Sequence, residues 1–278
     1  MRKTHFIITE AISRLAKQQK PRFKVRIYCL FFLVSLSACV SSVTQAEQLT
    51  AAIAANFAGT IKHLKPLFEH ESGHRLITSF ASSGTLFAQI HNGAPFDVFL
   101  SADEQRPQQL IHDGLGVASG SFIYASGQLV LWSSQPELID PQGNILRDGL
   151  WQEKGIHHIA LANAKTAPYG RAAMETLQAM QLLESTKPYR VTGQNIAQTF
   201  QFVASGNAQL GFIAQAQVLA LPESERGSSW LVPQAMYSPI KQEAVMLMRG
   251  RENSAALAFL QFLQSPRAKN IISARGYK

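Results

Sequence analysis

Leu76-Ile77-Thr78-Ser79-Phe80-Ala81-Ser82-Ser83-Gly84-Thr85-Leu86-Phe87-Ala88-Gln89-Ile90 changes period in its middle. Residues 76–80 are an apolar, β-branched run that reads as a strand, whereas Leu86, Phe87 and Ile90 recur at helical spacing beyond a turn of small polar residues. The same rhythm flanks this stretch on both sides. Upstream, residues 49–54 read as a strand, and Ile61, Leu64, Leu67 and Phe68 mark one helix face up to Gly73. Downstream, residues 96–100 form a strand that runs through Ser101-Ala102-Asp103 into another helix. Strand, polar turn and helix repeated three times predict a parallel sheet with crossover helices.

A second series follows. Residues 158–162 lead to a helix over 171–183, residues 189–192 lead to one over 195–204, and a strand over 210–214 comes after. Between the series, 128–132 reads as a strand that crosses between lobes, and 243–248 as one that returns. The residues after position 46 suit two lobes of roughly 100 residues each. The expected organisation is a first lobe over 47–127, a second over 128–238 and a return to the first over 239–278.

Residues 1–46 read differently. They hold eight basic side chains against one acid, Glu10, a net of +7, while the rest of the chain holds 18 basic and 17 acidic residues, a net of +1. A basic stretch ending at Arg26, an apolar run over 27–36 and small residues after it have the order of a secretory signal. The apolar run is shorter than the roughly 20 residues of a spanning helix. Cleavage after Ala46 satisfies the small-residue rule, and Leu36-Ser37-Ala38-Cys39 offers a competing lipid-attachment site at Cys39. Both cysteines, Cys29 and Cys39, fall in this segment. A chain cut after Ala46 therefore has no disulfide, thiolate metal site or cysteine nucleophile. The near-neutral remainder also gives no support for a nucleic-acid surface.

His70-Glu71-Ser72-Gly73-His74 matches the H-E-x-x-H zinc pattern, which needs both histidines on one face of an unbroken helix. Gly73 reads as the helix C-cap, which would make the two histidines diverge. A metallohydrolase built on His70, Glu71 and His74 is thus the lesser alternative. His157 and His158, adjacent at a strand entry, point to opposite faces. No G-x-S-x-G elbow, P-loop or dinucleotide fingerprint occurs, and no enzyme activity is expected.

Polar residues gather instead at strand-to-helix turns: Asn56, Ser82, Ser83, Tyr169-Gly170 after Pro168, and Gln194-Asn195-Ile196. Each is able simply to cap its helix. Together, at the carboxyl ends of strands in two lobes, they would form a neutral cage of N–H and O–H donors for a fully deprotonated anion.

Residues 52–57, Ser79-Phe80-Ala81-Ser82-Ser83-Gly84-Thr85-Leu86 and Gly93-Ala94-Pro95-Phe96-Asp97-Val98-Phe99-Leu100-Ser101-Ala102-Asp103 resemble the periplasmic molybdate-binding proteins of ABC transporters. The likeness continues through Pro168-Tyr169-Gly170-Arg171-Ala172, Gln209-Leu210-Gly211-Phe212-Ile213, residues 262–268 and Gly276-Tyr277. It implies an α/β protein with two Rossmann-like lobes joined by two crossing strands, the type II periplasmic binding protein arrangement. It also implies a periplasmic monomer that needs no cofactor, captures molybdate or tungstate, and delivers it to a membrane permease and ATPase. Sulfate or phosphate is the alternative ligand on the same architecture. The resemblance assigns the anion to Asn56 and Ser83, to the backbone N–H groups of Tyr169 and Ile196, and to the backbone of Ala55. Members with Ser at the first turn often supply a tyrosine hydroxyl just after the Leu-Gly strand, where this chain has Ala214. The missing donor is expected from Tyr169, Asn56 or a water.

Overall fold

The run Gln48–Ala54 (β1) is apolar on both faces because both faces are covered. Ala51 and Ile53 join one hydrophobic cluster with Phe57, Phe68 and Phe259, and Ala52 joins another with Leu86, Phe99 and Val245 on the opposite side. The computed structural model describes residues 46–147, 149 and 151–278. The signal and lipidation readings over 1–46, including Cys29 and Cys39, lie outside these residues, apart from Ala46 itself.

Nine further strands follow: Arg75–Ala81 (β2), Val98–Leu100 (β3), Gly116–Gly127 (β4), Leu129–Ser133 (β5), Ile159–Ala162 (β6), Arg190–Gly193 (β7), Leu210–Ala214 (β8), Ser228–Leu231 (β9) and Ile240–Leu247 (β10). They form two five-stranded sheets, ordered β2-β1-β3-β10-β4 and β7-β6-β8-β5-β9. Helices cover each sheet, giving two α/β lobes. The chain passes from the first sheet to the second between Gly127 and Leu129, and returns between Leu231 and Ile240. The helices Ser254–Gln264 and Pro266–Ala274 then complete the first lobe.

The sheets are mixed rather than wholly parallel. β1 pairs in parallel with β2 and β3, and β6 with β7 and β8, as the repeating rhythm predicts. β10 runs antiparallel to β3 and β4, and β5 runs antiparallel to β8 and β9. Strand β4 leaves little trace in the sequence because residues 118–123 are half-buried or exposed and rich in Gly and Ser. Its ladder to β10 shifts register twice, and at Gly120 a Cβ would lie 2.6 Å from the Met246 Cβ, so the strands meet closely only around a glycine.

Helix boundaries move by a few residues from expectation. The helix expected over 171–183 spans Pro168–Ala179. Proline is preorganised for the first helical turn, and the chain leaves the helix before Gln181, which adopts a φ of 59°. Asn195 is a cap outside its helix, which begins at Ile196. Gly73 ends the helix Ala58–Ser72 in the left-handed region, with a φ of 71°, as read from its position.

The second lobe packs around Trp132, which stacks on Phe200 with ring centroids 5.1 Å apart. In the first lobe Phe57 meets Tyr124 and Tyr277 edge-on at 5.0 and 5.5 Å. Burying a ring such as Phe57 contributes about 2–3 kcal/mol, and it fixes the turn directly after β1.

Candidate functional site

Five strand ends converge on one small cavity. It is lined by Ala54, Ala55 and Asn56 after β1, Ser82 and Ser83 after β2, Ala102 after β3, Ala167, Pro168 and Tyr169 after β6, and Ile196 after β7. All are neutral. The cavity is tight, about 10 Å³. Ala55, Asn56, Ser83, Tyr169 and Ile196, the five residues expected at a ligand site, thus share one cavity.

Local capping decides which N–H groups remain available there. The first N–H groups of a helix have no acceptor within it. At the helix Ser83–His91 the Ser82 hydroxyl accepts from the Thr85 N–H at 3.3 Å, which leaves the Ser83 N–H uncapped. At Ile196–Ala204 the Asn195 carboxamide accepts from Ala197 and Gln198 at 2.9 and 3.0 Å, so Ile196 is passed over. At Pro168–Ala179 the proline has no N–H, Ala167 makes no side-chain cap, and Tyr169 carries the first donor. Ala55 and Asn56 open the single-turn helix Ala55–Phe57, which also lacks a side-chain cap. Capping and ligand binding, alternatives when each turn is read alone, are divided here between neighbouring residues.

The Ser83 hydroxyl accepts from the Ala102 N–H at 2.9 Å, so its own proton is free to turn toward the cavity. Helix termini with inward N–H groups present positive partial charge without a fixed cation. The Arg106 guanidinium is neutralised by buried Asp103 and donates to the Lys165 carbonyl at 3.2 Å. The Gly84 N–H donates to the Thr166 carbonyl at 2.8 Å. These two bonds join the lobes at the cavity mouth, so the structure is closed.

Asn56 and Tyr169 depart from expectation in their side chains. The Asn56 carboxamide donates to the Gln242 Oε1 at 2.9 Å and to the Tyr277 hydroxyl at 3.2 Å, which uses both of its N–H bonds. The Tyr169 hydroxyl accepts from the Gln242 Nε2 at 3.3 Å. The Asn56 carboxamide therefore does not stand in for the donor absent at Ala214, which is buried at the end of β8. Burial raises the Tyr169 and Tyr124 hydroxyls well above the ordinary tyrosine range, with nearby Tyr277 adding to the shift, and burial raises Tyr277 too. All three stay neutral, so no phenolate repels an anion.

The model of the family described as bacterial extracellular solute-binding protein matches residues 49–278. The chain belongs to this family. This solute-binding protein is 45% identical over 242 residues to the molybdate-binding protein ModA of Azotobacter vinelandii, covering 87% of the chain and 93% of the relative. It is also 45% identical over 232 residues to ModA of Rhodobacter capsulatus, covering 84% and 88%. The solved Azotobacter vinelandii periplasmic molybdate-binding protein superposes with a TM-score of 0.77 at 38% identity, covering 83% of this chain and 98% of that one. These relatives are binding proteins, and the solute-binding protein described here is not an enzyme.

The zinc reading has no geometry behind it. Glu71 pairs with Arg267, the His74 Nδ1 accepts from the Glu47 N–H at 3.2 Å, and His70 closes the helix that Gly73 terminates. Among the described residues no three His, Cys, Asp or Glu side chains gather as a metal site, and no helix is long and apolar enough to cross a membrane. The block 93–103 supports the site from behind. Buried Asp97 accepts from the Thr50 N–H at 2.7 Å and holds β1 in place, while Ala102 supplies the N–H that orients Ser83. Sequence reasoning named Ser82 without separating its capping role from that of Ser83, and it missed Ala102, Ala167 and Gln242. The alanines carry no side-chain signal, and Gln242 sits between Lys241 and Glu243, just ahead of the strand expected over 243–248.

Proposed function

We propose that this protein is the extracytoplasmic solute-binding component of an ABC importer and that it captures molybdate or tungstate in the cavity between its lobes. The ligands in this reading are the N–H groups of Ala55, Asn56, Ser83, Tyr169 and Ile196 and the hydroxyl of Ser83. One observation supports it: Ala55, Asn56, Ser83, Tyr169 and Ile196, each at or near the start of a helix and drawn from both lobes, line one neutral cavity. Such a cage suits a fully deprotonated tetrahedral anion, because its N–H groups have nothing with which to accept a proton. The 45% identity to two proteins named for molybdate favours that anion over sulfate or phosphate.

In the same reading the lobes comprise residues 47–127 with 239–278, and 128–238. The protein works as a periplasmic monomer released by cleavage after Ala46, with Cys39 as the alternative lipid anchor, and hands its anion to a membrane permease and ATPase.

A thermal-shift titration with molybdate, tungstate, sulfate, phosphate and Zn²⁺ at equal concentration tests the ligand. A ligand at 100 times its Kd stabilises by about 2.7 kcal/mol, which is roughly 5–11 °C for a protein of this size. Molybdate and tungstate alone are expected to produce it. An equal shift with sulfate or phosphate, or a shift with Zn²⁺ only, overturns the assignment.

A further inference from the structure

We propose that Gln242 and the phenol of Tyr169 couple anion capture to lobe closure, acting as positioning residues rather than as anion ligands. The inference rests on the ligand reading above. Gln242 lies two residues into β10, just after the chain returns to the first lobe, and is fully buried. Its Oε1 accepts from the Asn56 Nδ2 at 2.9 Å and from the Tyr124 hydroxyl at 3.0 Å, and its Nε2 donates to the Tyr169 hydroxyl at 3.3 Å. One carboxamide thus holds a cavity residue from each lobe.

Tyr169 has its two ends in different places. Its backbone N–H stands at the cavity, while its hydroxyl reaches the strands where the lobes connect. At Gly127, the last residue of β4 before the chain crosses, a Cβ would lie 2.1 Å from the Tyr169 hydroxyl oxygen and 2.8 Å from the Gln242 Nε2. The glycine therefore leaves the space that the hydroxyl and the carboxamide fill. Tyr169 is in this way wedged against one connection and bonded to the other. Opening rotates the helix Pro168–Ala179 about these connections and separates the phenol from Gln242. Among the described residues Gln242 is the one hydrogen-bond partner of that hydroxyl. Separation leaves a buried donor and a buried acceptor short of a partner, a cost that favours return to the closed state. An anion that draws in the Tyr169 N–H restores the phenol contact in the same movement, so the closed state gains both together.

The test compares wild type with Tyr169→Phe, Gly127→Ala, Gln242→Met and the Tyr169→Phe/Gln242→Met double variant. Calorimetric molybdate titration, stopped-flow dissociation and small-angle scattering with and without molybdate are the readouts. Tyr169→Phe keeps the backbone donor and is expected to weaken binding about tenfold, through faster dissociation. Gly127→Ala is expected to weaken binding and to reduce the ligand-induced contraction. In the Gln242→Met background, Tyr169→Phe is expected to have no further effect on Kd. Wild-type affinity and contraction in both Tyr169→Phe and Gly127→Ala overturn the coupling. So does a lowered Tm for Tyr169→Phe without a change in Kd or dissociation rate, which is the pattern of a purely structural bond. Failure of wild type to bind molybdate overturns the ligand reading, and this inference with it.

Discussion

Ser83 has one oxygen with two partners to satisfy. The Ala102 N–H takes one lone pair, so the hydroxyl proton is free to turn toward the cavity. In the proposed site, replacing Ser83 by Ala removes a donor to the anion and takes from the Ala102 N–H its acceptor. A bond to a charged group is worth about 1.5–3 kcal/mol, so S83A is expected to weaken molybdate binding by roughly 10- to 150-fold. Titration calorimetry checks this, and an unchanged Kd removes Ser83 from the site. The position of Ser83 was legible in the sequence because the strand-to-helix change of period falls on it. The direction of the Asn56 and Tyr169 side chains was not, since it depends on Gln242, which lies 186 residues from Asn56. Spacing along the chain says nothing about such a partner.

Short helices supply the site with donors because their caps act one residue away from the cavity. Asn195 is the clearest case: its carboxamide serves Ala197 and Gln198, and the helix it starts points Ile196 inward. The Gln217 side chain braces the same turn, accepting from the Ala214 N–H at 3.0 Å and donating to the Ile196 carbonyl at 3.1 Å. Losing an Asn cap costs about 1 kcal/mol, so Asn195→Ala is expected to lower Tm by roughly 2–4 °C. Differential scanning calorimetry of the ligand-free protein measures it, and an unchanged midpoint rejects the capping role. Elements with strong apolar period, such as β1 and the helix Ala58–Ser72, were readable from residues alone. Strand β4 was not. Its half-buried and exposed Gly and Ser positions are strand only because β10 lies alongside, a long-range pairing that overrides weak local preference.

Closure of the whole molecule depends on backbone meeting backbone across the mouth. A Cβ on Gly84 would lie 2.9 Å from the Thr166 Cα and 3.0 Å from the Thr166 oxygen, a clash that opening the lobes relieves. Gly84→Ala is therefore expected to leave ligand-free stability near wild type while weakening molybdate at least about tenfold. Small-angle scattering would show the loss of ligand-induced contraction, and full contraction would refute the clash. The buried tyrosines set a limit on pH. Tyr124, Tyr169 and Tyr277 hold their protons in the native state well above the unfolded value of about 10. Above that pH the unfolded chain binds fewer protons, so stability is fully present below about pH 10 and falls as pH rises beyond it. A Tm series from pH 8 to 11 is expected to be level at first and then to drop, and a level profile throughout rejects this account. The two-lobe plan was legible from the doubled strand–helix rhythm, but the interlobe contacts were not, because Gly84 and Thr166 carry no pattern in common. The neutrality of the cavity wall has a kinetic side. With no fixed cation inside, the protein exerts little long-range pull on a passing anion, and nearly all of its hold is short-ranged and formed after entry. Capture is then expected to proceed at almost the same rate in dilute and in saline surroundings.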